Sequence, residues 1–117
     1  MTKRFLGVVL ISIVLGSCYY DVESELYPNT NCNIPATLSY ATDIAPLIAQ
    51  ECGTAGCHVA DGTGVGNFET YEGVKAKVDD GSFENRTFVQ QNMPPSGALS
   101  ACELQLLQAW VTAGAQQ

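Results

Sequence analysis

Apolar side chains recur at helical spacing near the middle of the chain. Ile44, Leu47 and Ile48 lie three and four positions apart and would share one face of a helix. Thr42 or Asp43 precedes them as a candidate N-cap, and a proline falls in the first turn, where its missing N–H does no harm. The pattern predicts a first helix that ends at the next Cys-Gly pair along the chain.

The clearest helical pattern lies close to the C-terminus. Ser100 and Glu103 have the spacing of a capping box, and Gly114 stands where a C-terminal cap belongs. The apolar stripe between these signals consists of Leu104, Leu107, Trp110 and Val111. Together they predict a last helix with one buried face.

Two weaker helical segments lie between these helices. The segment "TYEGVKAKVDDG" has Thr70 as its cap, although Gly73 weakens the prediction because glycine is a poor helix former. Its predicted inner face consists of Tyr71, Val74 and Val78. The segment "SFENRTFVQ" predicts a short third helix, and no stretch alternates as a half-buried strand does. The predicted fold class is all-α.

Two glycine- and proline-rich segments are predicted as loops. "VADGTGVGNFET" has three alternating glycines, but no strand precedes them and no lysine follows, so a phosphate cradle is disfavoured. A flexible surface loop is the better interpretation. In "QNMPPSG" the two prolines exclude a helix and predict an extended loop.

Residues 1–17 have the layout of a secretory signal peptide. Lys3 and Arg4 precede an apolar run over residues 5–15, which is too short to span a bilayer comfortably, so a membrane anchor helix is the weaker alternative. The stretch "LGSC" that ends at Cys18 resembles a bacterial lipoprotein signal. That resemblance implies cleavage before Cys18 and attachment of lipid to it.

Export and cleavage would leave an acidic tether over residues 18–37 and a folded domain over 38–117. Three basic residues would then remain against all 12 acidic ones, a formal charge of −9. Such a surface repels nucleic acid and anionic lipid and suits a basic patch on a partner, or simply keeps a secreted protein soluble. Tyr19, in place of an aspartate that retains some lipoproteins at the inner membrane, slightly favours the outer membrane.

The short stretch "ECGTAGCHVADG" carries the candidate chemistry. It holds Cys52, Cys57 and the single histidine, His58, and two further cysteines remain after export, Cys32 and Cys102. An even number of cysteines in an exported chain is compatible with two disulfides. Three cysteines and a histidine also suit zinc, although zinc ligands more often come as two tight pairs.

Covalent haem is the third interpretation, because attachment sites have the pattern Cys-x-x-Cys-His. Cys57 and His58 keep the required adjacency, whereas the spacer "GTAG" has four residues in place of two. Its glycines permit the backbone angles of a bulge. Met93 would be the only methionine of the mature chain. The prolines after it would stiffen its loop and so help to hold its thioether in place as a ligand of the haem iron.

These pieces, in this order, resemble the small monohaem class I c-type cytochromes of exported bacterial lipoproteins. The resemblance covers about residues 38–115, from "SYATDIAPLIAQEC" through "FETYEGVKA" and "NMPP" to "LSACELQLLQAWVTAGA". It implies a cytochrome c-like domain with crossed first and last helices around one haem c. The implied site consists of Cys52 and Cys57 as thioether residues, His58 and Met93 as axial ligands of the haem iron, and a Cys32–Cys102 disulfide.

The function implied by this resemblance is electron transfer between Fe(III) and Fe(II), with redox proteins and the membrane as partners. No second histidine is present to act as an acid–base group, so we expect no catalysis. Two alternatives remain. One is a haem enzyme with an open sixth site for peroxide or small-gas chemistry, and the other is a structural, disulfide-bonded lipoprotein without haem.

Overall fold

The computed structural model describes residues 32–97 and 99–117. The expected signal peptide over 1–17, the lipidation residue Cys18 and most of the expected tether lie outside these residues. Among the described helices, none has the length and apolar character needed to cross a membrane.

The described part of the chain is helical and contains no β-strand, so the all-α class is confirmed at the level of secondary structure. A π-helical turn at Tyr40–Ile44 continues into α1, which spans Ala45–Glu51. Helix α2 spans Tyr71–Asp79, and the short α3 at Ser82–Glu84 continues into a second π-helical turn at Asn85–Val89. Helix α4 spans Ala101–Thr112.

The first helix begins earlier than its sequence predicts. Ser39, not Thr42 or Asp43, is its N-cap, and the Asp43 carboxylate reaches back to accept a hydrogen bond from the Ser39 amide at 2.8 Å. The turn at Tyr40 is included because that side chain is buried, with its ring centroid 5.6 Å from that of Trp110. Burial against α4 therefore moves the helix start, which local capping rules cannot foresee.

Helix α2 begins at the predicted cap, since the Thr70 hydroxyl accepts a hydrogen bond from the Gly73 amide at 3.2 Å. Gly73 has a structural reason to be glycine. A Cβ built at this position would lie 1.6 Å from the carbonyl oxygen of Asn67, so the chain before α2 passes directly against the helix. Glycine here is required for a close backbone approach and does not interrupt the helix.

Helix α4 has both predicted ends. The Ser100 hydroxyl accepts from the Glu103 amide at 3.4 Å, and the Glu103 carboxylate accepts from the Ser100 amide at 2.7 Å, which completes the capping box. At the other end the Gly114 and Ala115 amides donate to the carbonyls of Val111 and Trp110, both at 2.9 Å, in a Schellman motif. Gly114 supplies the required positive φ of 94°.

One apolar core joins the helices. Its fully buried side chains are Trp110, Ile44, Ile48, Leu107 and Val74. The other residues of the predicted stripes, Leu47, Leu104 and Val111, pack against its edge. The C-terminal tail closes the core: the Trp110 indole donates to the Gln116 carbonyl at 2.7 Å and the Tyr71 hydroxyl to the Ala115 carbonyl at 2.9 Å.

The structure contains the Cys32–Cys102 disulfide that the resemblance implies. The bond joins residues 70 positions apart, with their Cα atoms 5.3 Å from each other. It ties the segment before the first helix to the opening turn of α4, and so connects the two ends of the described domain.

Candidate functional site

Two thiols remain unpaired in the described part of the chain, and both belong to the candidate haem motif. Cys52 is the residue at which α1 ends, and its amide donates to the Ile48 carbonyl at 2.9 Å. Its side chain packs against the apolar core. Burial, reinforced by the negative charge of Glu51 and by Cys57, raises the pKa of the Cys52 thiol to about 11.

The spacer between the cysteines forms a turn that brings Thr54 against Cys57. The Cys57 amide donates to the Thr54 carbonyl at 2.9 Å, and the Thr54 hydroxyl donates to the Cys57 sulfur at 3.3 Å. Gly56 adopts a positive φ of 82°, as the expected bulge in a four-residue spacer requires. The His58 amide then donates to the Cys52 carbonyl at 3.2 Å, so the spacer folds back on its own start.

The His58 imidazole is held by the loop that follows it. Its ring stacks on the ring of Phe68, with centroids 4.3 Å apart and planes inclined by only 12°. Its Nδ1 atom lies 3.3 Å from the Gly66 carbonyl oxygen. A carbonyl only accepts hydrogen bonds, so Nδ1 carries a proton in this contact.

The glycine-rich segment is a loop, as predicted, and it also contacts the imidazole, which the sequence does not predict. The Phe68 amide donates to the His58 carbonyl at 2.7 Å and the Gly64 amide to the Cys57 carbonyl at 3.2 Å. The Glu69 carboxylate accepts from the Ala60 amide at 2.9 Å, which ties the two sides of the loop together.

Met93 lies on a different segment, between the second π-helical turn and α4. Its side chain is partly accessible, with 36% of its surface exposed, and the Met93–Pro94 peptide bond is cis. The predicted extended loop is a turn at this point, because the Gly97 amide donates to the Pro94 carbonyl at 3.3 Å. Pro94 itself is buried. The structure thus groups Cys52, Cys57 and His58 in one unit and places Met93 on a second loop.

The donors present fit a covalent haem better than zinc. Cys32 and Cys102, which a zinc site would need as thiolates, are bonded to each other. Within residues 32–97 and 99–117, no three His, Cys, Asp or Glu side chains come together as a metal site would require. Two unpaired thiols and the imidazole that directly follows the second of them in the sequence are the donor types that a c-type haem takes.

Sequence reasoning missed the residues that orient His58. The sequence predicts no role for Phe68, Gly64 and Gly66 beyond the loop. In the structure Phe68 stacks on the imidazole, the Gly66 carbonyl faces Nδ1, and a Cβ added at Gly64 would lie against the ring. The signal was present as three glycines at alternate positions soon after the only histidine. A glycine run of this kind permits close backbone approach as readily as it permits flexibility.

No protein-family model, curated protein or solved structure matches this chain. The functional proposal therefore depends on the residues of the chain and on their contacts.

Proposed function

We propose that this chain is a membrane-tethered monohaem c-type cytochrome with a cytochrome c-like fold, and that it carries electrons. The observation that carries the proposal is the unit formed by Cys52, Cys57 and His58. Its two thiols are unpaired while the other two described cysteines are bonded to each other, and its imidazole is held through Nδ1 by the Gly66 carbonyl. When bound, the haem would supply one-electron chemistry between Fe(III) and Fe(II).

Each residue of the unit has a separate role in this proposal. Cys52 and Cys57 would hold the haem by thioether bonds, and the four-residue spacer provides the turn between them. His58 would bind the iron through Nε2, while the Gly66 carbonyl holds Nδ1 and strengthens the imidazole as a ligand. Met93 would be the second protein ligand of the iron, and its loop is fixed on both sides by backbone hydrogen bonds, from the Asn92 amide to the Arg86 carbonyl and from the Gly97 amide to the Pro94 carbonyl.

The charges around the unit favour a basic redox partner. Residues 32–74, which include both thiols and the imidazole, contain acidic residues but no lysine or arginine. Lys75 and Lys77 follow, and each is paired with an aspartate of the same helix end, Asp79 and Asp80. A basic patch on a partner would be steered toward this negative surface, with an encounter rate that falls as salt increases.

The tether and location complete the proposal. Lipid on Cys18 would hold the domain at the exported face of a membrane, with the outer membrane favoured. The acidic segment up to residue 37 would let the domain move between partners while it stays attached. Electron transfer needs no acid–base group, which agrees with the presence of one histidine in the whole chain.

The decisive experiment is the intact mass of the full chain, exported in a bacterial host that can attach haem c. We expect the mature protein to carry the mass of one haem and to stain for haem on a denaturing gel. The double variant Cys52→Ser/Cys57→Ser should lack both signals. The double variant Cys32→Ser/Cys102→Ser is the matched control and should keep its haem.

Wild-type protein that is exported, lipidated and free of haem in such a host would overturn the proposal. The chain would then be better described as a structural lipoprotein. Haem-loaded protein whose sixth site is open would instead favour the enzyme alternative.

A further inference from the structure

The His58 imidazole has a neighbour on each face. One face is covered by the Phe68 ring, stacked at 4.3 Å between centroids. A Cβ built on Gly64 would lie 2.8, 2.9 and 3.0 Å from Nδ1, Cγ and Cε1 of His58. Three nearly equal distances place this Cβ above the ring plane and not at its edge.

The two neighbours lie on opposite faces. If Gly64 were on the same side as Phe68, the Phe68 ring atoms would be at least as close to the added Cβ as the imidazole atoms are. The three nearest atoms all belong to His58. The imidazole therefore sits in a slot between an aromatic ring and a bare glycine backbone, with Nδ1 on the Gly66 carbonyl at 3.3 Å.

The slot is built from backbone that is itself fixed. The Gly64 amide donates to the Cys57 carbonyl and the Phe68 amide to the His58 carbonyl, so both walls are bonded to residues at or next to the histidine. No side chain larger than hydrogen fits at Gly64 without displacing the ring, because a contact under 3.0 Å between carbon atoms is strongly repulsive.

We propose that Gly64 and Phe68 are positioning residues that set the plane of the His58 imidazole. The inference rests on the proposed function for its consequence, since the plane of an axial imidazole governs how it overlaps with the iron orbitals. The slot itself is a property of the chain alone, so it can be tested with and without haem.

The first test uses the full chain, exported from a host that lacks haem-attachment machinery, and reads the imidazole by NMR. Phe68→Leu should remove the ring-current shift of the His58 ring protons, while Phe68→Tyr, which keeps the flat ring, should retain it. Gly64→Ala should shift the imidazole proton and nitrogen signals. Val65→Ala is the matched control, because Val65 follows Gly64 in the same loop and its side chain is exposed.

The second test uses the haem-loaded protein and the low-spin Fe(III) EPR spectrum. Gly64→Ala and Phe68→Leu should shift the g-values, while Phe68→Tyr and Val65→Ala should leave them at their wild-type positions. If Gly64→Ala does not fold, the Phe68→Leu and Phe68→Tyr pair still decides the question.

Imidazole signals and g-values that are the same in Gly64→Ala, Phe68→Leu and wild type would overturn the inference. Failure of the proposed function looks different. In that case no variant carries haem, and the NMR comparison of haem-free protein alone decides whether the slot exists.

Discussion

Met93 is the single residue on which the distinction between electron carrier and haem enzyme depends. Replacing Met93 with alanine should leave the haem attached, because Cys52, Cys57 and His58 are unchanged. The oxidised protein should lose the near-infrared band assigned to charge transfer from methionine to iron. Its reduction potential should fall, because His/Met ligation raises the potential. Near-infrared absorption and redox titration measure the two effects.

Val89→Ala is the control for this prediction, since Val89 is an apolar side chain on the preceding turn with 76% of its surface exposed. It should retain both the band and the potential. If wild-type protein already lacks the band, Met93 is not a ligand in the native state, and the open-site enzyme becomes the better description.

The Cys52 thiol predicts a pH dependence that can be measured in protein without haem. Burial is the main cause that raises its pKa to about 11, and the Glu51 carboxylate adds to it. Only the thiolate reacts with iodoacetamide, so the alkylation rate should rise about tenfold per pH unit until the pH approaches that pKa. The variant Cys57→Ser leaves Cys52 as the unpaired thiol to follow, by mass spectrometry of the labelled peptide.

Glu51→Gln is the comparison variant for this measurement. Removal of the negative neighbour should lower the pKa of Cys52 and speed alkylation at pH 8. In the Cys57→Ser variant without the Glu51 substitution, an alkylation rate that levels off by pH 9 would contradict the buried environment of the Cys52 thiol.

Among the helices, α2 offers a test in which propensity and packing predict opposite signs. Helix propensity alone predicts that Gly73→Ala stabilises the protein by about 1 kcal/mol. The added methyl would instead meet the Asn67 carbonyl oxygen at 1.6 Å. We expect the free energy of unfolding to fall by about 1–3 kcal/mol, as overpacking usually costs, in urea titrations followed by circular dichroism.

Ala76→Gly is the matched control in the same helix, because Ala76 is exposed. It should lower the free energy of unfolding by about 1 kcal/mol through propensity alone. If Gly73→Ala raises the stability while Ala76→Gly lowers it, the close approach of Asn67 to the helix is wrong.

Helix α4 shows how far local signals determine an element. Its capping box and its Schellman motif use hydrogen bonds between residues no more than five positions apart. Such bonds form whenever the helix forms, whatever it packs against. That is why both of its ends were predictable, whereas the first helix, whose opening turn is held by Tyr40 against Trp110, begins at an unpredicted residue.

At the scale of the whole molecule, the Cys32–Cys102 disulfide should make a large contribution to stability. The disulfide closes a loop between residues 70 positions apart, and for a loop of this length the chain-entropy model gives a stabilisation of roughly 4 kcal/mol. The double variant Cys32→Ser/Cys102→Ser should therefore unfold at a lower urea concentration with its helices otherwise unchanged.

Reductant provides the control for the disulfide prediction. It should lower the unfolding midpoint of the wild-type protein toward that of the double variant and should leave the variant itself unaffected. A wild-type midpoint that does not respond to complete reduction of the bond would contradict the prediction.

Features that depend on near neighbours in the chain could be predicted from the order of amino acids. These are the all-α class, the caps at Thr70, Ser100 and Gly114, and the grouping of Cys52, Cys57 and His58 in one short stretch. Each follows from hydrogen bonds or side-chain spacing within a few residues, which the order of amino acids fixes directly.

The role of the loop after His58 depends on contacts between segments, and it became visible only in the folded chain. Glycines at alternate positions are equally compatible with a flexible loop and with a backbone pressed against a side chain. The second arrangement occurs because the Phe68 ring and the Gly66 carbonyl return to the same imidazole. Contacts of this kind depend on the path of the chain in space, which residue types and spacing do not specify.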